Sequence, residues 1–288
     1  MASSQQLKSR IRSVKNTKQI TKAMQMVAAS KMRRAQEADQ ASAPYTRAAN
    51  ELLTFLASQG ATDEHPLFKA RTVKTRLLIV IAADKGLAGA YNSNVAKTYL
   101  RQLAADDAAK VENTTIAVGR RASQFVTRLK DTSVLGVYED LPDHPAGAEL
   151  RAILDTAREK FETGVVDAVD VIFTEFISSI NQQVRVQRVL PAGFIQTEVS
   201  NEVREAKFEP NVSEVLDGVA YRLVGAQIFQ ALLDARASEY SMRMVAMKNA
   251  TDNANDLAND LTLVMNKARQ GAITQELAEI SAGVEAQN

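Results

Sequence analysis

Apolar positions along the chain fall into three regimes. From Ser4 to about Ser58 they recur at helical spacing: Leu7, Ile11 and Val14 form one line, and Ile20, Met24, Val27, Ala28 and Ala35 continue it after a small slip in phase. Pro44 is expected to kink or locally break this helix, because it lacks an amide donor and crowds the turn before it. Gly60 and the region of Pro66 close it. From Val73 to about Pro191 short apolar runs alternate with helical patterns. Arg76–Ala83 (RLLIVIAA), Thr114–Val118 and Val169–Phe176 read as buried parallel strands, and Val184–Leu190 alternates like a half-exposed or edge strand. Asn92–Ala105, Arg120–Lys130 and Ala148–Phe161 read as the helices between them. That order implies an open, mostly parallel sheet with flanking helices.

The third regime, 211–288, has no proline, and no glycine lies between Gly225 and Gly271. Ala237, Tyr240, Met244, Met247, Thr251, Ala254, Ala258, Leu261, Met265, Ala268 and Ala272 advance by alternating steps of three and four. A 3.5-residue repeat of this kind makes the seam of a left-handed coiled coil. One helix over this tail would be roughly 110 Å long at about 1.5 Å per residue. A compact domain of this mass is much shorter, so the helix is expected to project. The predicted fold is an α/β domain at 73–191, inserted between helices at 1–58 and 211–288 that pair as a long antiparallel coiled coil.

Charge and composition sharpen this picture. Nine Lys and Arg precede Glu37 with no acid among them, whereas Ala237–Asn288 holds seven acids against four bases. Asp252, Asp256 and Asp260 stand four apart on one helical face, a repulsion that Lys8, Arg10, Arg12 and Lys15 on a partner helix are expected to cancel. The chain has no cysteine, which excludes disulfides and thiolate metal sites. Its longest apolar run, Leu77–Ala83, falls far short of the roughly 20 residues that span a bilayer. The basic, acid-poor start also resembles an organelle transit peptide, but it runs on into a longer helix without a cleavage-like break.

Candidate chemistry is sparse. The loop after the first strand, DKGLAGAYN (Asp84–Asn92), carries Gly86 and Gly89 but fits neither GxGxxG nor a P-loop, and reads as a tight strand-to-helix turn. His65 and His144 stand alone beside prolines and are expected to be solvated. Glu149, Asp155, Glu159 and Glu162 read as the solvated face of a helix. No nucleophile elbow is present. Arg33 and Arg34 on a basic helix would suit nucleic acid, yet few aromatics are available to stack on bases. A membrane-surface helix would want more Leu, Phe and Trp on its apolar side. Met242, Met244, Met247 and Met265 give the tail a slim, adaptable apolar surface.

Two long motifs carry a resemblance. LKSRIRSVKNTKQITKAMQMVAASKMRRAQ, near the start, and RMVAMKNATDNANDLANDLTLVMNKARQGAITQELAEI, near the end, resemble the terminal helices of the gamma-subunit family of rotary F-type ATP synthases. DKGLAGAYN resembles that family's first loop, and Ile273–Gly283 its C-terminal signature, with Val284 where the family usually has Ala. The resemblance implies a non-catalytic central rotor stalk inside a ring of three alpha and three beta subunits. Its foot would rest on the c-subunit ring beside the epsilon subunit, on the cytoplasmic face of a bacterial plasma membrane. It implies no cofactor, no metal and no nucleic acid. It also implies that Met24, Arg243, Arg269 and Gln270 meet the beta subunits, and that Glu209 faces the c-ring. The cysteine pair of chloroplast versions is absent, and a bacterial origin without a leader is expected. Two rival readings are a coiled-coil-armed α/β enzyme, which would bind a ligand or turn over by itself, and a nucleic-acid adaptor, whose affinity would fall steeply with salt.

Overall fold

A computed structural model describes residues 4–130, 132–142 and 147–285. The elements follow in the order α1 (Ser4–Ser58), β1 (Thr75–Ile81), α2 (Tyr91–Ala109), β2 (Glu112–Val118), α3 (Arg120–Val126), β3 (Ser133–Tyr138), α4 (Gly147–Glu162), β4 (Ala168–Phe176), β5 (Gln182–Leu190), α5 (Asn201–Arg204) and α6 (Val212–Glu285). α1 continues through Pro44 without interruption, against the expectation of a break. The ring is exposed there, so the lost amide costs one hydrogen bond and the bulk meets solvent. The chain divides into two compact units, residues 29–242 and a helix pair formed by the residues up to Ala28 and those from Arg243 onward.

The larger unit is built on a five-stranded sheet of order β3-β2-β1-β4-β5. β1, β2, β3 and β4 run parallel, and β5 returns antiparallel to β4. The run TRLLIVI is apolar on both sides because both sides are covered. Leu77, Ile79 and Ile81 pack with Ile153, Ala157 and Phe161 of α4 and with Val224, Ile228 and Leu232 of α6. Leu78 and Val80 pack with Val95 and Tyr99 of α2 and with Ala122 and Val126 of α3. A third cluster joins Ala49, Leu53 and Leu56 of α1 to Leu216 and Leu223 of α6. β5 is the expected edge strand, alternately exposed. β3, at the other edge, was not expected. Its apolar residues are half exposed and Gly136 interrupts them, so it shows neither a buried run nor a clean alternation. Arg76 and Arg188 flank the buried Asp170 carboxylate across β1, β4 and β5, and Arg76 Nε also lies 3.1 Å from the buried Asp106. Paired charges of this kind fix register, because breaking them would strand a buried charge.

In the helix pair, Thr251 Oγ1 meets Thr21 Oγ1 at 2.8 Å and Lys18 Nζ donates to Asn255 Oδ1 at 2.6 Å, so the helices run antiparallel. On α6, Met247, Thr251, Ala254 and Ala258 are buried in the seam, and Met244, Leu261, Met265 and Ala268 are half-buried. On α1 the expected phase slip is absent. Leu7, Ile11, Val14, Lys18, Thr21 and Ala28 face inward on an unbroken 3.5 repeat, while Ile20 and Val27 are 61% and 57% exposed. Two polar positions are thus accepted in the seam because each finds a hydrogen-bond partner there. The proposed charge ladder does not form either. Asp252, Asp256 and Asp260 are exposed, and among the described residues none makes an ion pair with Lys8, Arg10, Arg12 or Lys15. The outward side of α6 carries these acids, and water screens them.

Candidate functional site

Open α/β sheets bind ligands beyond the carboxyl ends of their strands, where the strand order reverses. Here the reversal is at β1, between β2 and β4, and the loop Asp84–Asn92 sits at that point. Its polar groups are committed to the fold. Asp84 Oδ1 accepts from the backbone N–H of Arg120 at 2.9 Å and of Asp140 at 3.0 Å, tying β1 to the start of α3 and the end of β3. Asn92 Oδ1 accepts from Ala83 N–H at 3.0 Å. Gly119 closes the same corner at φ 91°, and a Cβ there would stand 2.1 Å from the Ala82 carbonyl oxygen. The glycines of this loop therefore serve a strand-to-helix turn, as expected, rather than a phosphate cradle.

α6 occupies the crevice itself. Arg236 Nη2 donates to Leu141 O at 2.7 Å, Ser238 Oγ to Thr174 O at 3.0 Å, and Ser241 Oγ to Ser179 O at 2.7 Å. Met242 packs on Ala83, Ala88 and Tyr91. What remains between Ile81, Gly119, Leu232 and Arg236 is a cavity of about 10 Å³, room for one water at most. A substrate has no place at this edge.

His65 is not solvated as expected. Its side chain is only 9% exposed, with Nδ1 accepting from Leu67 N–H at 3.3 Å and Nε2 lying 3.6 Å from Asp217. Burial pushes its pKa below the ordinary value, against the pull of Asp217. It caps the 3₁₀ turn Pro66–Phe68, a local role that the neighbouring proline did not reveal. His144 lies outside the described residues, as does the Glu149 side chain. Asp155 accepts from Tyr221 Oη at 2.6 Å and Glu162 pairs with Arg158 at 2.8 Å, both on an exposed face as expected. Among the described residues no cluster of His, Asp or Glu converges on a metal-binding arrangement. One carboxyl is strongly perturbed: Asp234, on α6, is pushed up to about 7, by burial first and then by Asp39 and Glu175.

The helix pair offers a different kind of surface. Ile20, Met26 and Val27 are exposed on α1, and a groove of about 420 Å³ is lined by Lys15, Lys18, Gln19, Lys22, Ala23 and Met26. Met26 with Lys15 and Lys22 on one face of α1 combines apolar and cationic groups in a way that suits a protein partner. A strict count of sevens from Leu7 would have found this surface; following the apolar residues through Ile20 hid it.

A family model described as ATP synthase matches residues 3–287. The ATP synthase gamma chain of Glaesserella parasuis serovar 5 (strain SH0165) is 39% identical over 99% of this chain and all of its own length. The chain belongs to the ATP synthase gamma family. The gamma chain of Stenotrophomonas maltophilia (strain R551-3) is 38% identical, again over 99% of this chain and the whole of the relative. Two cryo-EM structures share the fold. A chain of the Euglena gracilis mitochondrial ATP synthase, in a structure titled OSCP/F1/c-ring, has a TM-score of 0.70 at 18% identity over 99% of this chain and 94% of its own. A chain of the Tetrahymena thermophila enzyme, titled central stalk/c-ring, has 0.61 at 23% over 80% and 99%. As a gamma-family member the chain is a non-catalytic subunit, the central stalk of an F-type ATP synthase, and part of a membrane-bound complex. Among the described residues no helix is long and apolar enough to cross a membrane.

The residues implied to meet partners lie in different surroundings. Arg269 and Gln270 are exposed on α6, Met24 is half-buried on α1, and Arg243 is only 9% exposed. Glu209 is exposed, just before α6. The Thr21–Thr251 and Lys18–Asn255 pairs, which set the register of the helix pair, were not singled out from the sequence.

Proposed function

We propose that this gamma-family chain turns as the rotor inside a ring of alpha and beta subunits and rides on a c-subunit ring, with an epsilon subunit beside its foot, at the cytoplasmic face of a bacterial plasma membrane. In that reading 1–58 and 211–288 supply the shaft and 73–191 the foot. Met24, Arg243, Arg269 and Gln270 meet the beta subunits as the shaft turns, and Glu209 faces the c-ring. The observation that carries the reading is how α6 is used. The helix closes the one crevice where an α/β sheet would hold a ligand, and goes on to form a paired-helix unit with a thin seam of Ala, Thr and Met. The similar structures, described as OSCP/F1/c-ring and as central stalk/c-ring, support the partners.

A shaft whose contacts break and reform at each step needs modest, placed interactions. Only contacts that differ between two conformations of the ring can shift their populations. The exposure of Arg269, Gln270 and Glu209 agrees with such use. Reconstitution tests the reading. The purified chain alone should neither bind nor hydrolyse ATP. Addition to alpha and beta subunits should yield an ATPase whose hydrolysis turns a bead fixed to the sheet unit. A chain that is recovered from membranes without ATPase subunits would defeat it.

A further inference from the structure

The larger unit holds α6 in two chemically different ways. Along Ala220, Val224, Ile228, Ala231 and Leu232 the contact is apolar, flanked by polar contacts of Asp217 with Arg158, Tyr221 with Asp155, Gln227 with the Gly193 carbonyl and Gln230 with Asp39. Close packing of that apolar face resists both separation and turning, but its individual contacts are soft, whereas a hydrogen bond is directional. At the last turns of α6 within this unit, three side-chain-to-backbone hydrogen bonds follow close together, from Arg236, Ser238 and Ser241. We propose that these three residues form an azimuthal lock that prevents α6 from turning against the sheet, so that torque passes between the sheet unit and the shaft without slip. The proposal rests on the rotor reading above.

The geometry supports a lock rather than a simple tether. At about 100° per residue, Ser238 and Ser241 leave the helix about 60° apart, and Arg236 leaves it roughly 150° from both. Their acceptors stand on three separate segments: Leu141 after β3, Thr174 in β4, and Ser179 in the β4–β5 turn. No single rotation of the helix keeps all three bonds aligned, and a hydrogen bond weakens steeply once its angle closes. Ser238 and Ser241 are fully buried, so water cannot replace the bonds as they break. Gln182 braces the site, with Nε2 donating to Ser241 Oγ at 3.2 Å and to Ser178 O at 2.7 Å.

The test uses the assembled membrane complex carrying Ser238→Ala and Ser241→Ala. Three quantities are read: ATP hydrolysis, angular fluctuation of a bead on the sheet unit with the catalytic ring fixed, and ATP synthesis across a range of imposed proton gradients. The lock predicts unchanged hydrolysis, angular variance raised above the wild-type value, and synthesis that falls only at weak gradients. Ser241→Thr, which keeps the hydroxyl, should restore the variance when paired with wild-type Ser238. If the hydroxyls merely satisfy buried carbonyls, the Ala variants will lower the unfolding temperature and leave variance and synthesis at wild-type values, which overturns the proposal. Should the double variant fail to assemble, Ser241→Ala alone decides on the same readouts. An unsubstituted complex that hydrolyses ATP without rotating would instead overturn the rotor reading, and the lock with it.

Discussion

In the sheet unit, Leu77, Leu78, Ile79 and Val80 are wholly buried, and large side chains such as Tyr99 and Phe161 fill the two layers around them. In the helix pair, Leu7, Ile11 and Met247 are buried beside the smaller Thr21, Ala28, Thr251, Ala254 and Ala258, while Ile20, Met26, Val27, Leu257 and Leu263 are turned outward. One unit stores its stability in an interdigitated core. The other closes its seam with mostly small side chains and two polar pairs, and leaves much of its bulk on the outer surface. The difference teaches that helix pairing here is tuned for slimness and register, while the sheet supplies a body rigid enough to be pushed.

Five substitutions test that contrast. Ile79→Ala removes a wholly buried side chain from the sheet and should cost about 3–4 kcal/mol, read as a fall in the denaturant midpoint of the sheet unit. Asp234→Asn comes next. In the unfolded chain this carboxyl titrates near 3.8, and in the fold it holds its proton to about 7. The stability linked to it is therefore full below about pH 4 and is lost as pH rises through 7. With its partial solvent exposure discounted, the loss is about 2 kcal/mol. Asp234→Asn should flatten that part of the pH profile and raise the melting temperature at pH 8; a profile unchanged by the substitution would contradict the assignment.

Ala258→Leu inserts bulk into the seam and should cost about 1–2 kcal/mol. A loss equal to that of Ile79→Ala would mean the seam is as tightly packed as the sheet, and the contrast would fail. The smallest effect is expected from the seam threonines. Thr21 Oγ1 also lies 3.1 Å from Lys18 O, and Thr251 Oγ1 lies 2.8 Å from Met247 O, so each hydroxyl has a fallback within its own helix. Thr21→Val and Thr251→Val should each cost under about 1 kcal/mol, and the double variant should be nearly neutral. A double-mutant cycle measures the difference.

Much of this architecture is legible in the sequence. β1 announced itself because both its faces are covered, and the seam of α6 because eleven positions keep one period. What stayed hidden shares a cause: pattern reading sends polar residues outward. Lys18 and Thr21 point inward because each finds a partner on α6. Arg236, Ser238 and Ser241 are buried because their partners are backbone carbonyls, which leave no trace in a sequence. β3 escaped because an edge strand with half-exposed residues and an internal glycine matches no buried template. The family resemblance supplied the rotor, and the partner-facing residues came from it alone.

The register of the helix pair has a last consequence. With Lys18 beside Asn255 and Thr21 beside Thr251, the beginning of α1 falls opposite about Ala268, and α6 continues to Glu285 with every described side chain beyond that point exposed. A single helical stretch of that length is marginal in water when nothing packs against it. Amide hydrogens along these final turns should therefore exchange quickly in the separated subunit and slowly once a collar encloses them, which makes the tip a built-in reporter of assembly.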